Sequence, residues 1–387
     1  MSILKSVFRP DELSALYKLR FGNRKARKKA VAHQAEPNED LAFCFATLNN
    51  VSRSFALVIR QLPSELSTNV CLFYLVLRAL DSIEDDMNIP HDTKGELLRS
   101  FHEKNYLKGW KIKDVGDKKE YRDLLASYYK VVNVFLTLDK KFQDIITDVC
   151  REMGSGMADF SEKKILSTED YDLYCHYVAG LVGIGLSRIF VASGLEEKEI
   201  EKDEALANSM GLFLQKTNIV RDYHEDLFET RTFWPQEIWG QYVKNFSDLG
   251  QNARSKNSVA CLNHMVNDAL AHATDCLAYL GKLKNRQIFR FCAIPQVMAM
   301  ATLCEVYDNP KVFRKNVKIR KGYAAKLILN TNTIADVVNF YFEIALAIEN
   351  KVPYDIGNSG ETLKLTKNIR SYCQRYSGKA AALLENA

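Results

Sequence analysis

Two short acidic runs hold the residues best suited to chemistry: Asp81-Ser82-Ile83-Glu84-Asp85 and Asp222-Tyr223-His224-Glu225-Asp226. Both read D-x-x-E-D, so a helix sets two aspartates one turn apart on a single face, with a glutamate beside them. The polar residues in front of each run keep the same step. Tyr74, Arg78, Asp81 and Asp85 form one stripe, and Gln215, Asn218, Asp222 and Asp226 form another. Around the first stripe, Val70-Cys71-Leu72-Phe73-Tyr74-Leu75-Val76-Leu77 is apolar on nearly every side, the pattern of a buried helix. Met210-Gly211-Leu212-Phe213-Leu214 plays that part for the second. A lone acidic run is usually a solvated face, whereas carboxylates inside an apolar helix need partners or metal.

Hard carboxylate oxygens suit Mg²⁺, which takes one or two carboxylates and leaves positions for water and substrate phosphate. The expectation is therefore a facing pair of Mg²⁺ sites, with Asp81, Glu84, Asp85, Asp222 and Asp226 as ligands. Arg53, Arg78, Arg221 and Arg231 lie beside the same segments, and arginine suits bidentate contact with phosphate. Metal and arginine together would clamp a diphosphate, with Tyr74, Gln215 and Asn218 as further substrate contacts along the stripes. A departing diphosphate leaves a carbocation, which needs dry walls and aromatic faces. Phe73, Tyr74, Tyr174, Tyr177, Phe213, Phe289 and Phe291 are candidates, although core packing is the role of most of them.

The elements that must position these groups read as helices. Gly 18 and Pro 8 among 387 residues are about 7% of the chain against an average near 12%. With 47% hydrophobic residues, that composition predicts long helices around one core. Pro63 and Pro90 bound the first acidic helix. Further helices are expected over 92–105, 120–153, 171–193 (capped by Thr168-Glu169-Asp170), 201–228, 256–282, 286–308, 323–350 and 359–376. Gly180, Gly183 and Gly185 run in the order G-x-x-G-x-G with no strand before them, so they lack the mechanics of a dinucleotide fold. They mark a face that a neighbouring helix or a long apolar ligand approaches closely.

Residues 1–35 form a basic N-terminal arm, 36–376 the helical domain, and 377–387 a C-terminal tail. The net charge of +5 is too small to point to nucleic acid. Nine cysteines without a C-x-x-C pair suggest reduced thiols, and Cys261-x-x-His264 lacks a second pair for zinc. No stretch reads as a convincing transmembrane span, so a soluble chain is expected. Lys315 to Gly322 reads as a basic loop.

Four strings make a resemblance specific: Val76-Leu77-Arg78-Ala79-Leu80-Asp81, Tyr174-Cys175-His176-Tyr177-Val178-Ala179-Gly180, Gln215-Lys216-Thr217-Asn218-Ile219-Val220-Arg221-Asp222 and Phe291-Cys292-Ala293-Ile294-Pro295-Gln296. From about residue 36 to 376 the chain resembles the squalene synthases, those of fungi in particular. That resemblance implies an all-α, single-domain bundle of the isoprenoid (trans-prenyl) synthase type with a central cavity. It implies a Mg²⁺-dependent enzyme that joins two farnesyl diphosphates head to head into presqualene diphosphate, then reduces and rearranges this to squalene with NADPH.

By the same resemblance, Asp81, Asp85, Asp222 and Asp226 hold Mg²⁺, while Arg53, Arg78, Arg221 and Arg231 contact phosphate. Tyr174 controls proton or cation in the first half-reaction, and Phe291 serves the second. Lys318 and Arg320, with Ser52, would contact NADPH through side chains without a Rossmann domain. His224 departs from the apolar residue of many relatives. The absence of an obvious dimer seam makes a monomer the expectation. The family implies a place at the endoplasmic reticulum membrane facing the cytosol, held by a C-terminal anchor, whereas this chain stops at Ala387 without one. Two readings compete: a phytoene- or dehydrosqualene-type synthase without NADPH, and a non-catalytic helical scaffold at a membrane surface.

Overall fold

The computed structural model describes residues 10–21, 38–161, 163–228, 232–354 and 357–385. Every regular element among them is helical. Arg231 and the basic cluster after residue 21 lie outside the described residues, as does the side chain of Arg53. Where the sequence predicts one domain, the described residues group into two compact units. One takes the described parts of 1–22, 164–180 and 205–387; the other takes those of 23–163 and 181–204.

In the second unit the first acidic helix, Ser64–Asp85, starts after Pro63 and stops short of Pro90, where proline restricts continuation. Leu66, Val70, Phe73, Leu77 and Leu80 are among its buried residues. It packs on the helices Glu39–Val51 and Lys140–Phe160. Gly154 lets the latter approach His91–Lys104: a Cβ there would sit 3.1 Å from the Leu98 carbonyl carbon and closer still to its oxygen. The expected helix over 120–153 is three helices, Lys119–Ala126, Tyr128–Phe135 and Lys140–Phe160. Turns at Ser127 and Leu136–Asp139 break it, because hydrophobic period alone does not register where an axis changes direction.

In the first unit the second acidic helix spans Glu204–Phe228. A helix at Pro10–Phe21, within the stretch read as an arm, docks on Lys321–Asn330. Charge composition does not disclose this contact, because Glu12 finds Arg320 across 308 residues of sequence. The predicted helices over 256–282 and 323–350 each divide, at Ala271–His272 and at Thr331–Thr333. In the second case Thr333 and Asp336 form a capping box that starts a new helix.

Three helical runs have the length and hydropathy that could cross a membrane: Ser64–Asp85, Thr168–Ala192 and Arg286–Val306. The expectation that no stretch qualifies is corrected on that criterion. For Ser64–Asp85 and Arg286–Val306 the apolar windows are 78% and 72% buried in protein, so their hydrophobicity is used in packing.

Candidate active site

The first stripe lies on the half-buried side of Ser64–Asp85, where Tyr74, Arg78, Asp81, Glu84 and Asp85 are all partly exposed. Arg78 is its centre. Its guanidinium sits 3.3 Å from an Asp81 oxygen, 5.9 Å from the Tyr74 ring centroid and 5.4 Å from that of Tyr121. Burial works against its charge, but Asp81, Tyr74 and Tyr121 outweigh this and hold the guanidinium pKa above its ordinary value. The Arg78 Nε is buried with no hydrogen-bond partner. A buried donor in that condition is costly, and an arriving phosphate oxygen would satisfy it.

Tyr121 and Lys118 are members of this site that sequence reasoning missed. Lys118 loses some charge stability to burial, but Tyr121, Asp117 and Asp85 raise its pKa overall. No motif marks them, although Tyr121 falls within the helix expected over 120–153. Asp86, next to the acidic run, has a different task. It accepts from the Gly116 N–H at 2.7 Å and the Asn88 N–H at 2.9 Å, and those bonds outweigh burial to lower its pKa. Ser52 caps the Arg53–Ile59 helix by accepting from the Phe55 N–H.

The second stripe stands on Glu204–Phe228. Gln215 and Asp222 are half-buried, Asn218 is exposed and Asp226 is half-buried. Arg221 grips the neighbouring Asp222 with two nitrogens, Nε to Oδ1 at 2.8 Å. Burial opposes the Arg221 charge, yet the bond to Asp222 and the charges of Asp222, Glu225 and Asp226 raise its pKa. Each aspartate run is thus paired with an arginine on its own helix. Among the described residues no three His, Cys, Asp or Glu side chains converge as a ready-made chelate. One or two carboxylates with water and phosphate oxygens satisfy Mg²⁺, so the stripes fit an ion that arrives with its substrate.

Tyr174 is buried and stacks on Phe233, with centroids 5.1 Å apart at 21°. Its helix, Thr168–Cys175, begins at Ser167 through a capping box with Asp170, one residue before the predicted cap. The predicted continuous helix to Ser193 is interrupted by a π-helical segment, His176–Gly180. Such bulges often mark functional sites. Here the neighbouring backbone explains it: a Cβ on Gly211 would lie 2.5 Å from the Ala179 carbonyl carbon and 2.7 Å from the Gly180 nitrogen. His176 also binds Asn208, Nδ1 to Oδ1 at 2.8 Å. For Gly180 and Gly185 the close approach comes from protein: Asn208 at the former, Phe73 and Val149 at the latter.

Lys216, between the stripe residues Gln215 and Asn218, is the largest omission from the sequence reading. It is 1% exposed and lies 2.6 Å from Asp172 and 2.8 Å from Asp268. Burial disfavours its charge, but the two carboxylates raise its pKa overall. It ties the Tyr174 helix to the second acidic helix and to Lys256–Leu270. Phe291 is buried on Arg286–Val306, and from the same helix Gln296 donates to the Met210 carbonyl at 3.0 Å. Phe213 packs near Tyr341 with centroids 6.5 Å apart, a core role. Lys318 is exposed, while Arg320 is engaged by Glu12 at 3.0 Å and Glu305 at 3.7 Å.

Residues 48–323 match the family model described as squalene/phytoene synthase. The chain belongs to the squalene/phytoene synthase family. Its similarity to curated members of that family is spread over nearly all of its length. It is 48% identical over 97% of the chain, and 90% of the relative, to a protein named squalene synthase from Nicotiana benthamiana. The figures are the same for one so named from Solanum lycopersicum. A solved structure described as a complex of TcSQS with the ligand E5700 superposes with a TM-score of 0.86 at 41% identity, covering 87% of this chain and 99% of that one.

Proposed function

We infer that the protein is a squalene synthase. It joins two farnesyl diphosphates head to head into presqualene diphosphate, then converts that intermediate to squalene with NADPH. The observation that carries this reading is Arg78, a half-buried guanidinium paired with Asp81 whose buried Nε has no partner, in a carboxylate stripe on an apolar helix. Such an arrangement is built for a phosphate at the mouth of a greasy site.

The chain's own groups perform separable tasks. Arg78 and Arg221, with Arg53 and Arg231, bind the diphosphate as its C–O bond breaks and the electron pair leaves with it. Asp81, Glu84 and Asp85, and likewise Asp222 and Asp226, would hold Mg²⁺. When bound, the ion supplies positive charge that stabilises the departing diphosphate. Tyr74, Gln215 and Asn218 orient the substrates. The buried Tyr174, braced by Phe233, excludes water and stands to accept the proton lost as the cyclopropane closes. Phe291 offers an aromatic face to the cation of the second half-reaction.

NADPH supplies the hydride of that second half-reaction. Lys318 presents an exposed ammonium suited to its phosphate, and Arg320, held here by Glu12 and Glu305, and the Ser52 hydroxyl would be its further contacts. The catalytic region is 36–376, flanked by the arm and the tail. The enzyme works as a monomer on the cytosolic face of the endoplasmic reticulum membrane, where a hydrocarbon product partitions readily.

Product analysis with farnesyl diphosphate and Mg²⁺, with and without NADPH, tests the reading. Squalene with NADPH and presqualene diphosphate without it are expected. A desaturated C30 product under both conditions would reassign the protein to the phytoene or dehydrosqualene branch. No consumption in either would leave only a scaffold.

A further inference from the structure

A cavity of about 580 Å³ is lined by Arg254, Asn309, Pro310, Lys311 and Arg314, none of them a stripe residue. Three of its five lining residues are cations and none is a carboxylate. Neither Arg254, Lys311 nor Arg314 has an acidic partner among the described residues. From Asn309 to Ala335 the chain carries Lys and Arg repeatedly and no Asp or Glu at all.

Exposed cations usually form a solvated face, so the framework beneath these decides the matter. Pro310–Phe313 is a 3-10 turn, in which residues i and i+3 eclipse. Lys311 and Arg314 have that spacing and are exposed, while Val312 and Phe313 between them are buried at 0% and 2% exposure. Phe313 is wedged edge-on against Tyr223, centroids 5.0 Å apart. The turn is also held from its start. Asp308 takes a left-handed φ of 53° while its N–H donates to Asn263 Oδ1 at 2.8 Å, and Asn309 Nδ2 donates to the Glu305 carbonyl at 2.8 Å. Arg254 joins from the loop before Lys256–Leu270. A turn held from its start therefore assembles like charges that repel one another, with no carboxylate in the pocket lining.

We propose that this pocket binds a phosphate dianion, held by the Arg254 and Arg314 guanidinium groups and the Lys311 ammonium. Two guanidinium forks and an ammonium suit a terminal phosphomonoester with its several acceptor oxygens. Either a phospholipid headgroup or a soluble phosphate ester presents that chemistry. The site uses none of the residues assigned above to diphosphate, metal or nicotinamide cofactor, so it stands or falls apart from the proposed activity.

The test compares the wild-type chain with Arg254→Gln/Arg314→Gln, using Lys108→Gln/Lys113→Gln as a control that loses equal charge at exposed positions in the other unit. Titration calorimetry with inorganic phosphate and co-sedimentation with phosphatidylcholine vesicles containing phosphatidic acid are the two arms. The pocket variant should bind phosphate at least fivefold more weakly than wild type and the control, and the difference should shrink as salt is raised. Vesicle binding by wild type and control but not by the pocket variant identifies a lipid headgroup as occupant. Vesicle binding by none of them, with phosphate binding lost only in the pocket variant, identifies a soluble ester. Equal phosphate affinity in all three proteins overturns the proposal, and a Kd measured alongside an unchanged Tm excludes misfolding as the cause.

Discussion

Replacing Gly211 by alanine should destabilise the protein, although alanine is ordinarily the better helix former. In a helix interior the exchange normally gains about 0.5–1 kcal/mol. At Gly211 the new methyl would lie 2.5 Å from the Ala179 carbonyl carbon and 2.7 Å from the Gly180 nitrogen. Both are backbone atoms of the π-helical segment and cannot swing aside. The Ala179 carbonyl oxygen is nearer still, so restoring ordinary contact requires the two backbones to part by more than about 0.9 Å, and overpacking of this kind costs about 1–3 kcal/mol. The upper end applies, leaving a net loss of about 2 kcal/mol. The matched control is Gly95→Ala on His91–Lys104, where an added Cβ meets nothing within 4 Å and a gain of about 0.5–1 kcal/mol is expected. Urea unfolding of both variants measures the difference. Because the displaced segment follows Tyr174 directly, presqualene diphosphate formation should slow in Gly211→Ala through kcat more than KM. A Gly211→Ala protein as stable as Gly95→Ala would refute the backbone contact and the explanation of the π segment with it.

Other perturbations separate the parts of the site. Asp81→Asn and Asp222→Asn should each lower Mg²⁺-dependent farnesyl diphosphate consumption about 10²-fold or more in steady-state assays; full turnover in either would remove that stripe from the metal assignment. Phe291→Ala should spare presqualene diphosphate while squalene output falls, as resolved by product chromatography, and equal loss of both would end the division of labour. Lys216→Met breaks a buried pair and leaves Asp268 without its cation, a loss of about 3–5 kcal/mol, visible as a lowered urea midpoint. His272 gives a pH signature: burial, and secondarily the charge of Lys216, push its pKa down to about 4 from 6.5. The unfolded chain then binds the extra proton first as pH falls. Stability should be intact above pH 6.5, decline by about 3 kcal/mol between 6.5 and 4, and level off below. His272→Gln should remove that part of the decline, and matching pH profiles for the two proteins would contradict it.

The family, the helical class and both acidic helices were legible in the residues because each is a local pattern. Apolar positions repeat with helical period, and prolines and capping residues mark ends. A stripe such as Tyr74, Arg78, Asp81 and Asp85 is defined by spacing alone. The paired glycines at 180 and 185 were also readable as a close approach, though their partners were not.

What only the tertiary structure decided concerns groups that meet across long separations. Lys216 looks like one more polar residue beside a motif until Asp172 and Asp268 close on it from two other helices. Glu12 and Arg320 pair across the whole chain. Tyr121 reaches Arg78 from a different helix, Lys119–Ala126. Even the π segment is invisible locally, since Gly211 on another helix sets it. Periodicity reports which face of an element is buried, and says nothing of what lies against that face. The charge of Lys216 depends on that missing information, because a buried ion is tolerated only when the fold brings it a counter-charge.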